Sequence, residues 1–148
     1  MNVSQKCQYA LRAIFELSKR VGQGPIRVGE IAEAQAIPPR FLEIILGQLK
    51  QAGYVESRRG ARGGYFMAVE PAALSVGEVI RFIDGPFAPV KCIAGGDKNE
   101  CPLRGKCAFM GLWGRAQAAV EEVYDNMSFE DLIREEKLSE NFVSNYCI

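Results

Sequence analysis

The chain has 148 residues, 48% hydrophobic and 24% charged, a composition typical of a globular protein with one modest core. It contains no run of 18 apolar residues and no leader in which basic residues precede apolar ones, which predicts a cytoplasmic protein with no membrane partner. The formal net charge is zero, but the charges are unevenly distributed. Residues 1–64 carry ten Lys and Arg and five Asp and Glu, whereas residues 65–148 carry eight Lys and Arg and thirteen Asp and Glu. We therefore expect a polyanion to bind the first half.

Three helices are predicted in the first third of the chain, over residues 4–21, 29–35 and 38–52, from apolar residues at helical spacing. Two prolines open the third helix, because the first turn does not need their missing N–H groups. Its predicted buried face comprises Leu42, Ile45, Leu46 and Leu49. A short helix, a tight turn and a longer helix are typical of a helix-turn-helix.

A β-hairpin is predicted next, with strands over 54–57 and 65–69 and a turn over 58–64. The turn carries three arginines, Arg58, Arg59 and Arg62, between glycines that allow it to bend tightly. A basic hairpin that follows a helix-turn-helix is a wing. The sequence therefore predicts a mainly α-helical fold with a small β-hairpin, a winged helix-turn-helix.

The third helix carries outward polar residues in its first turns, where a recognition helix meets base edges. Arg40 can donate two hydrogen bonds to guanine, Glu43 can accept one from cytosine, and Phe41 lies at the edge of this face. The wing arginines are expected to bind phosphates or a narrow minor groove. The predicted partner is double-stranded DNA.

The second half is predicted to contain helices over 75–84, 107–126 and 128–135, with an irregular segment over 85–106 and a polar tail. Ser128 and Asp131 form a capping-box pair before the last helix. The long helix carries an apolar stripe of Phe109, Leu112, Trp113, Ala116, Val120 and Val123. We expect residues 1–70 to read DNA and residues 71–148 to form one compact unit with them.

Three cysteines, Cys92, Cys101 and Cys107, lie in or beside the irregular segment. Their spacing is not that of a zinc ribbon, in which cysteines form close pairs. Thiolates favour zinc, copper(I) or iron–sulfur clusters, and in the cytoplasm disulfides are rare. The spacing alone leaves four readings open: a cluster, zinc, a redox disulfide or three inert thiols.

Taken together, these motifs resemble the winged-helix family of bacterial cluster-sensing repressors that includes the iron–sulfur biogenesis regulator IscR and the nitric-oxide sensor NsrR. The resemblance covers nearly the whole chain. Its most specific parts are Phe41-Leu42-Glu43, Arg59-Gly60, Gly63-Gly64-Tyr65 and the three cysteines. It implies a homodimer in which the long C-terminal helices cross, two DNA half-sites, and a 4Fe–4S or 2Fe–2S cluster at Cys92, Cys101 and Cys107.

The fourth cluster ligand is where the chain departs from that family. One branch uses a histidine, and this sequence has none. Other members use a carboxylate on the first helix, where this chain has Gln8, a poor ligand. Its neighbour Cys7 is a candidate, although it also falls on the apolar face of that helix, where cysteine packs as a small hydrophobe. Weaker candidates are Asp97, Glu100 and Cys147, and an exogenous thiol or water would also fit.

The function predicted from the sequence is a homodimeric transcription regulator whose DNA affinity depends on the cluster. The alternative is a cluster-free regulator that responds through thiol oxidation or zinc. An enzyme is not expected, because histidine and any nucleophile–base motif are missing. An electron carrier or a cluster-assembly scaffold would not need the arginine wing.

Overall fold

A computed structural model describes residues 2–95 and 101–146, with side chains described as far as residue 141. Three helices come first, α1 (Gln5–Lys19), α2 (Val28–Gln35) and α3 (Pro39–Gln51). Two strands follow, β1 (Val55–Arg58) and β2 (Gly64–Met67), and then a short 3-10 turn. The last helices are α4 (Val76–Asp84), α5 (Met110–Asp125) and α6 (Phe129–Tyr146). Among the described residues, no helix combines the length and apolar character needed to cross a bilayer.

Helix α1 is the centre of the packing, since it contacts α2, α3, α4 and α6. Ser4 caps it by accepting the Cys7 N–H at 3.1 Å. Ser4 is itself held by Asp84 at the end of α4, which accepts its backbone N–H at 2.8 Å and its hydroxyl at 2.5 Å. The core it organises contains residues from both sides of position 70, so the two halves share one hydrophobic cluster.

The turn between α2 and α3 follows the sequence prediction closely. Ala36 ends α2 in a left-handed conformation at φ +52°, and Ile37 is buried beneath the turn. Pro38 and Pro39 then start α3, whose predicted buried face is confirmed in full.

A buried carboxylate fixes α2 against α1. Glu16 accepts hydrogen bonds from Arg20 at 2.8 Å and from Gln35 at 2.7 Å. Burial acts to raise the pKa of Glu16, but these hydrogen bonds and the charges of Lys19 and Arg20 outweigh it and lower that pKa. The carboxylate is therefore charged and ties the end of α2 to α1.

The wing is a two-stranded antiparallel hairpin whose register pairs Val55 with Met67 and Arg58 with Gly64. A third segment joins it, because Ile26 and Tyr65 exchange two backbone hydrogen bonds of 2.8 Å. Gly64 makes this approach possible, since a Cβ there would lie 2.3 Å from the Ile26 carbonyl oxygen. The predicted hairpin is confirmed, with its strand ends shifted by one or two residues.

The C-terminal helices differ from the prediction at their ends. The predicted Ser128–Asp131 cap is present, with the Asp131 N–H donating to Ser128 Oγ at 3.0 Å. However, α6 continues to Tyr146, so the predicted end near residue 135 was wrong. Residues 135–141 contain good helix formers and no Gly or Pro, and Lys19 of α1 pairs with Glu136 at 3.4 Å. The added turns are therefore held by α1 as well as by helix propensity.

Helix α5 begins at Met110, one turn later than predicted. The segment just before it is a turn, in which the Cys107 carbonyl accepts the Met110 N–H at 3.3 Å. Val120 and Tyr124 pack on the core, whereas Leu112 and Val123 are exposed. The predicted single stripe is therefore two faces, one covered by the subunit's own core and one open.

Candidate nucleic-acid interface and cysteine loop

The outward face of α3 presents the residues that the sequence singled out. Arg40, Phe41 and Glu43 are all exposed in its first two turns. Ile44 is exposed as well, to 62%, although sequence reasoning had assigned it to neither face. This surface mixes one cation, one anion and two apolar side chains, which is the chemistry needed to distinguish base edges.

The wing places its cations at one end of the hairpin. Arg58, Arg59 and Arg62 are exposed, and the Arg58 guanidinium lies 5.8 Å from the centre of the Phe66 ring. That contact holds Arg58 along the strand, whereas Arg59 and Arg62 lie in the turn between the strands. The arrangement suits contacts to phosphates.

Arg27 is a further member of this surface that sequence reasoning missed. Its Nη2 donates to the Ala61 carbonyl at the wing tip at 2.7 Å. Together with Arg58 and Arg59 it lines a groove of about 420 Å³ between the wing and the start of α2. The signal in the sequence was weak, because the contact joins residues 34 positions apart.

The three predicted cluster cysteines lie between α4 and α5. Cys92 and Cys101 are exposed, Cys107 is half-buried, and all three are free thiols. Within residues 2–95 and 101–146 the structure brings no three Cys, Asp or Glu side chains together at metal-binding distance. The weaker candidates Asp97, Glu100 and Cys147 lie outside the described residues. Three accessible thiols without imidazole are a donor set that fits an iron–sulfur cluster or zinc far better than magnesium or calcium.

Cys7 lies in a different environment from the loop cysteines. Its side chain is 0% exposed and forms part of the core. Burial, and then the negative charge of Asp84, raise the pKa of the Cys7 thiol to about 12. A cysteine binds metal as the thiolate. The sequence left two roles open for Cys7, packing in the core and cluster ligation. Its buried placement favours packing.

Alkylation at pH 8 should separate Cys7 from the loop cysteines. With the cluster removed, we expect iodoacetamide to modify Cys92 and Cys101 of the folded protein while Cys7 stays unmodified. Cys7 is buried, and its pKa of about 12 makes its thiolate roughly a thousandfold rarer than that of a thiol with a pKa of 9.0. Peptide mapping by mass spectrometry measures this. Denatured protein, in which every cysteine should react, is the control, and equal native rates for Cys7 and Cys101 would contradict the buried placement.

Comparison with known proteins finds relatives along almost the whole chain. The model of the family Rrf2, described as an iron-dependent transcriptional regulator, matches residues 3–135. The HTH-type transcriptional regulator CymR of Bacillus subtilis is 37% identical over 132 residues, which is 89% of this chain and 89% of CymR.

Solved structures agree with the architecture. That of B. subtilis CymR, described as the global cysteine regulator, has a TM-score of 0.73 at 36% identity and covers 89% of this chain and 95% of CymR. T. potens IscR has a TM-score of 0.74 at 30% identity, with 92% and 88% covered. The oxidized form of Staphylococcus aureus CymR has a TM-score of 0.69 at 34% identity, with 89% and 95% covered. The mainly helical winged fold predicted from the sequence is confirmed.

Proposed function

The chain belongs to the Rrf2 family of iron-dependent transcriptional regulators, and from that membership we propose a homodimeric DNA-binding regulator whose operator affinity is controlled by an iron–sulfur cluster at Cys92, Cys101 and Cys107. The family is one of DNA-binding transcription regulators, not of enzymes. The observation that carries the proposal is the pairing of an exposed α3 face and arginine wing with three free thiols on the segment that leads into α5.

The DNA-binding surface divides into two tasks. Arg40 and Glu43 supply sequence choice from α3, and Arg59 and Arg62 supply electrostatic affinity from the wing. Arg27, which lies just before α2, supports the wing by donating to the Ala61 carbonyl, and so it ties the wing tip to the start of α2.

Helix α5 supplies the homodimer interface in this proposal. Its open face carries Leu112, Ala116, Ala119 and Val123, and Phe109 continues it just before the helix. These positions are separated by three and four residues alternately, the spacing of a coiled-coil seam. Leu112 and Val123 are 45% and 64% exposed, and exposed apolar side chains aligned along one helix are typical of an association surface. Ala116 and Ala119 let two such helices approach closely.

Two crossed α5 helices carry two α3 helices, one for each half-site. The Cys107 carbonyl binds the first N–H of α5, and Cys92 lies in the segment that leaves α4. When bound, the cluster supplies thiolate bonds that oxidants, iron loss or nitric oxide can break. A rearrangement of the three thiols therefore reaches α5 directly and alters the spacing of the two α3 helices, and so their fit to the two half-sites.

Replacing Cys101 with alanine should abolish the visible absorbance, the iron and the sulfide of protein purified without oxygen. Each of the three thiols is proposed as a cluster ligand, so the loss of one leaves too few thiolates to hold the cluster. Absorbance with iron and sulfide analysis measures the loss. Cys7→Ala is the matched control and should keep its cluster if Cys7 only packs in the core. Full iron occupancy in Cys101→Ala would overturn the ligand assignment.

The alternative function is a cluster-free regulator controlled by thiol oxidation or zinc. It is favoured by the exposure of Cys92 and Cys101 and by the existence of an oxidized form of a relative, S. aureus CymR. Wild-type protein that is colourless without oxygen, and that carries stoichiometric zinc or a reversible disulfide, would support this function over the cluster.

A further inference from the structure

Ile44 is an apolar residue in a place where α3 otherwise presents polar groups. The four other aliphatic residues of this helix from Leu42 onward are buried in the core, whereas Ile44 is 62% exposed. Its neighbour Phe41 is 60% exposed. These two side chains form an open apolar patch, the α3 patch, on the helix proposed above to read the DNA bases.

Helical geometry places Ile44 near the middle of the outward face. At about 100° per residue, Ile44 lies about 40° from Arg40 and about 60° from Gly47 around the helix axis. Gly47 has no side chain, and a Cβ at that position would meet nothing within 4 Å. The space next to Ile44 is therefore open, and the helix can approach a surface closely there.

The charges near the α3 patch indicate what kind of partner covers it. Arg40 lies one turn before Ile44 on the same helix, and the wing adds Arg58, Arg59 and Arg62. A cation on the same helix face, with three more on the wing, complements a polyanion that has apolar groups on the floor of a groove. The major groove of DNA has one such group, the C5-methyl of thymine.

We propose that Ile44, with Phe41 at its edge, determines specificity by contacting the C5-methyl group of a thymine in the major groove. The proposal rests on the proposed DNA-binding function and refines it. Arg40 and Glu43 read hydrogen-bonding groups, and Ile44, which neighbours Arg40 on the outward face, reads a methyl group next to them. The operator half-site then contains a thymine beside the positions that Arg40 and Glu43 read.

The test uses the full-length protein purified without oxygen. Selection from a random duplex library yields the preferred half-site, and each thymine in it is then replaced by uracil, which lacks only the methyl group. We expect uracil at one or two positions to weaken binding about fourfold, the value for burying one methyl group. Fluorescence anisotropy measures the ratio of the two dissociation constants.

Ile44→Ala should bring that ratio to one, because the contact is then missing from both duplexes. This variant should fold, since Ile44 is exposed and alanine favours a helix more than isoleucine does. Leu138→Ala, at a 63% exposed leucine on α6, is the matched control and should keep the wild-type ratio.

The outcomes separate the two proposals. If no thymine is sensitive to uracil, or if Ile44→Ala keeps the full penalty, the methyl contact is wrong while the DNA-binding function stands. If the library yields no preferred sequence, the proposed sequence-specific function itself is overturned, and the methyl contact with it.

Discussion

Replacing Ala116 with glutamate should convert the protein to a monomer and weaken operator binding roughly a hundredfold or more. Ala116 lies midway along the open face of α5, between Leu112 and Val123. In the proposed dimer its substitution would bring two carboxylates together in an apolar seam, where neither has a partner. A monomer binds each half-site separately and loses the gain of linked binding, which is commonly a hundredfold to ten-thousandfold.

Sedimentation gives the oligomeric state, and titration of a duplex with two half-sites gives the affinity. Ala118→Glu is the matched control, since Ala118 is exposed on the same helix but lies about 130° away from the seam around the helix axis. It should stay dimeric and keep its affinity. A dimeric Ala116→Glu protein would place the interface elsewhere, and a monomer with unchanged affinity would refute binding to two half-sites as a unit.

Gly64→Ala should separate the wing from the loop before α2 and lower the free energy of unfolding by about 2 kcal/mol, because the backbone must move or become strained. The new Cβ would lie 2.3 Å from the Ile26 carbonyl oxygen and 2.5 Å from its carbon, both main-chain atoms. The two Ile26–Tyr65 hydrogen bonds then lengthen or break. DNA affinity should fall at least tenfold, since displacing the wing removes several phosphate contacts at once.

Chemical denaturation measures the stability, and binding to random-sequence DNA measures the wing contribution. Gly114→Ala makes the same chemical change in α5, where a Cβ meets nothing within 4 Å, and should be neutral or stabilise the protein by up to about 1 kcal/mol. Wild-type stability and random-DNA affinity in Gly64→Ala would show that the wing can stay in place without this close approach.

The first half of the fold was predictable because its signals are local. Apolar residues at helical spacing placed α1, α2 and α3, and the two prolines placed the start of α3. The glycines of the wing marked the hairpin turn. Each signal spans fewer than about 20 residues, so no knowledge of distant contacts was needed.

The predictions were wrong where distant contacts, or a second apolar face on the same helix, determine the structure. The stretch after Glu135 is polar, so its pattern resembles a tail, but pairing with Lys19 of α1 helps to hold it as helix. The stripe on α5 combined Val120, which packs inside the subunit, with Leu112, which does not. Periodicity detects an apolar face but cannot say which molecule covers it.

The site shows the same division. Helical position predicts Arg40, Phe41 and Glu43 for the outward face of α3, where all three are exposed. It predicts Ile44 for that face as well, although isoleucine is more typical of a core. Arg27 gave only a weak signal, because its partner is the backbone carbonyl of Ala61, which lies 34 positions away in the wing. The three loop cysteines were identified from residue type, spacing and the family resemblance, and their role as ligands stays a prediction.

The bridge between Ile26 and Tyr65 sets a rule for transplanting DNA specificity between relatives. An isolated two-stranded hairpin is only marginally stable, and here its second strand also exchanges hydrogen bonds with residue 26. A graft of residues 54–69 alone would pair Tyr65 with the recipient protein's residue at position 26. Gly64 would then face a backbone carbonyl whose position differs from that of Ile26 in this chain. Chimaeras should therefore exchange residues 24–69 as one block, so that the loop before α2, the helices α2 and α3, and the wing all come from the same parent.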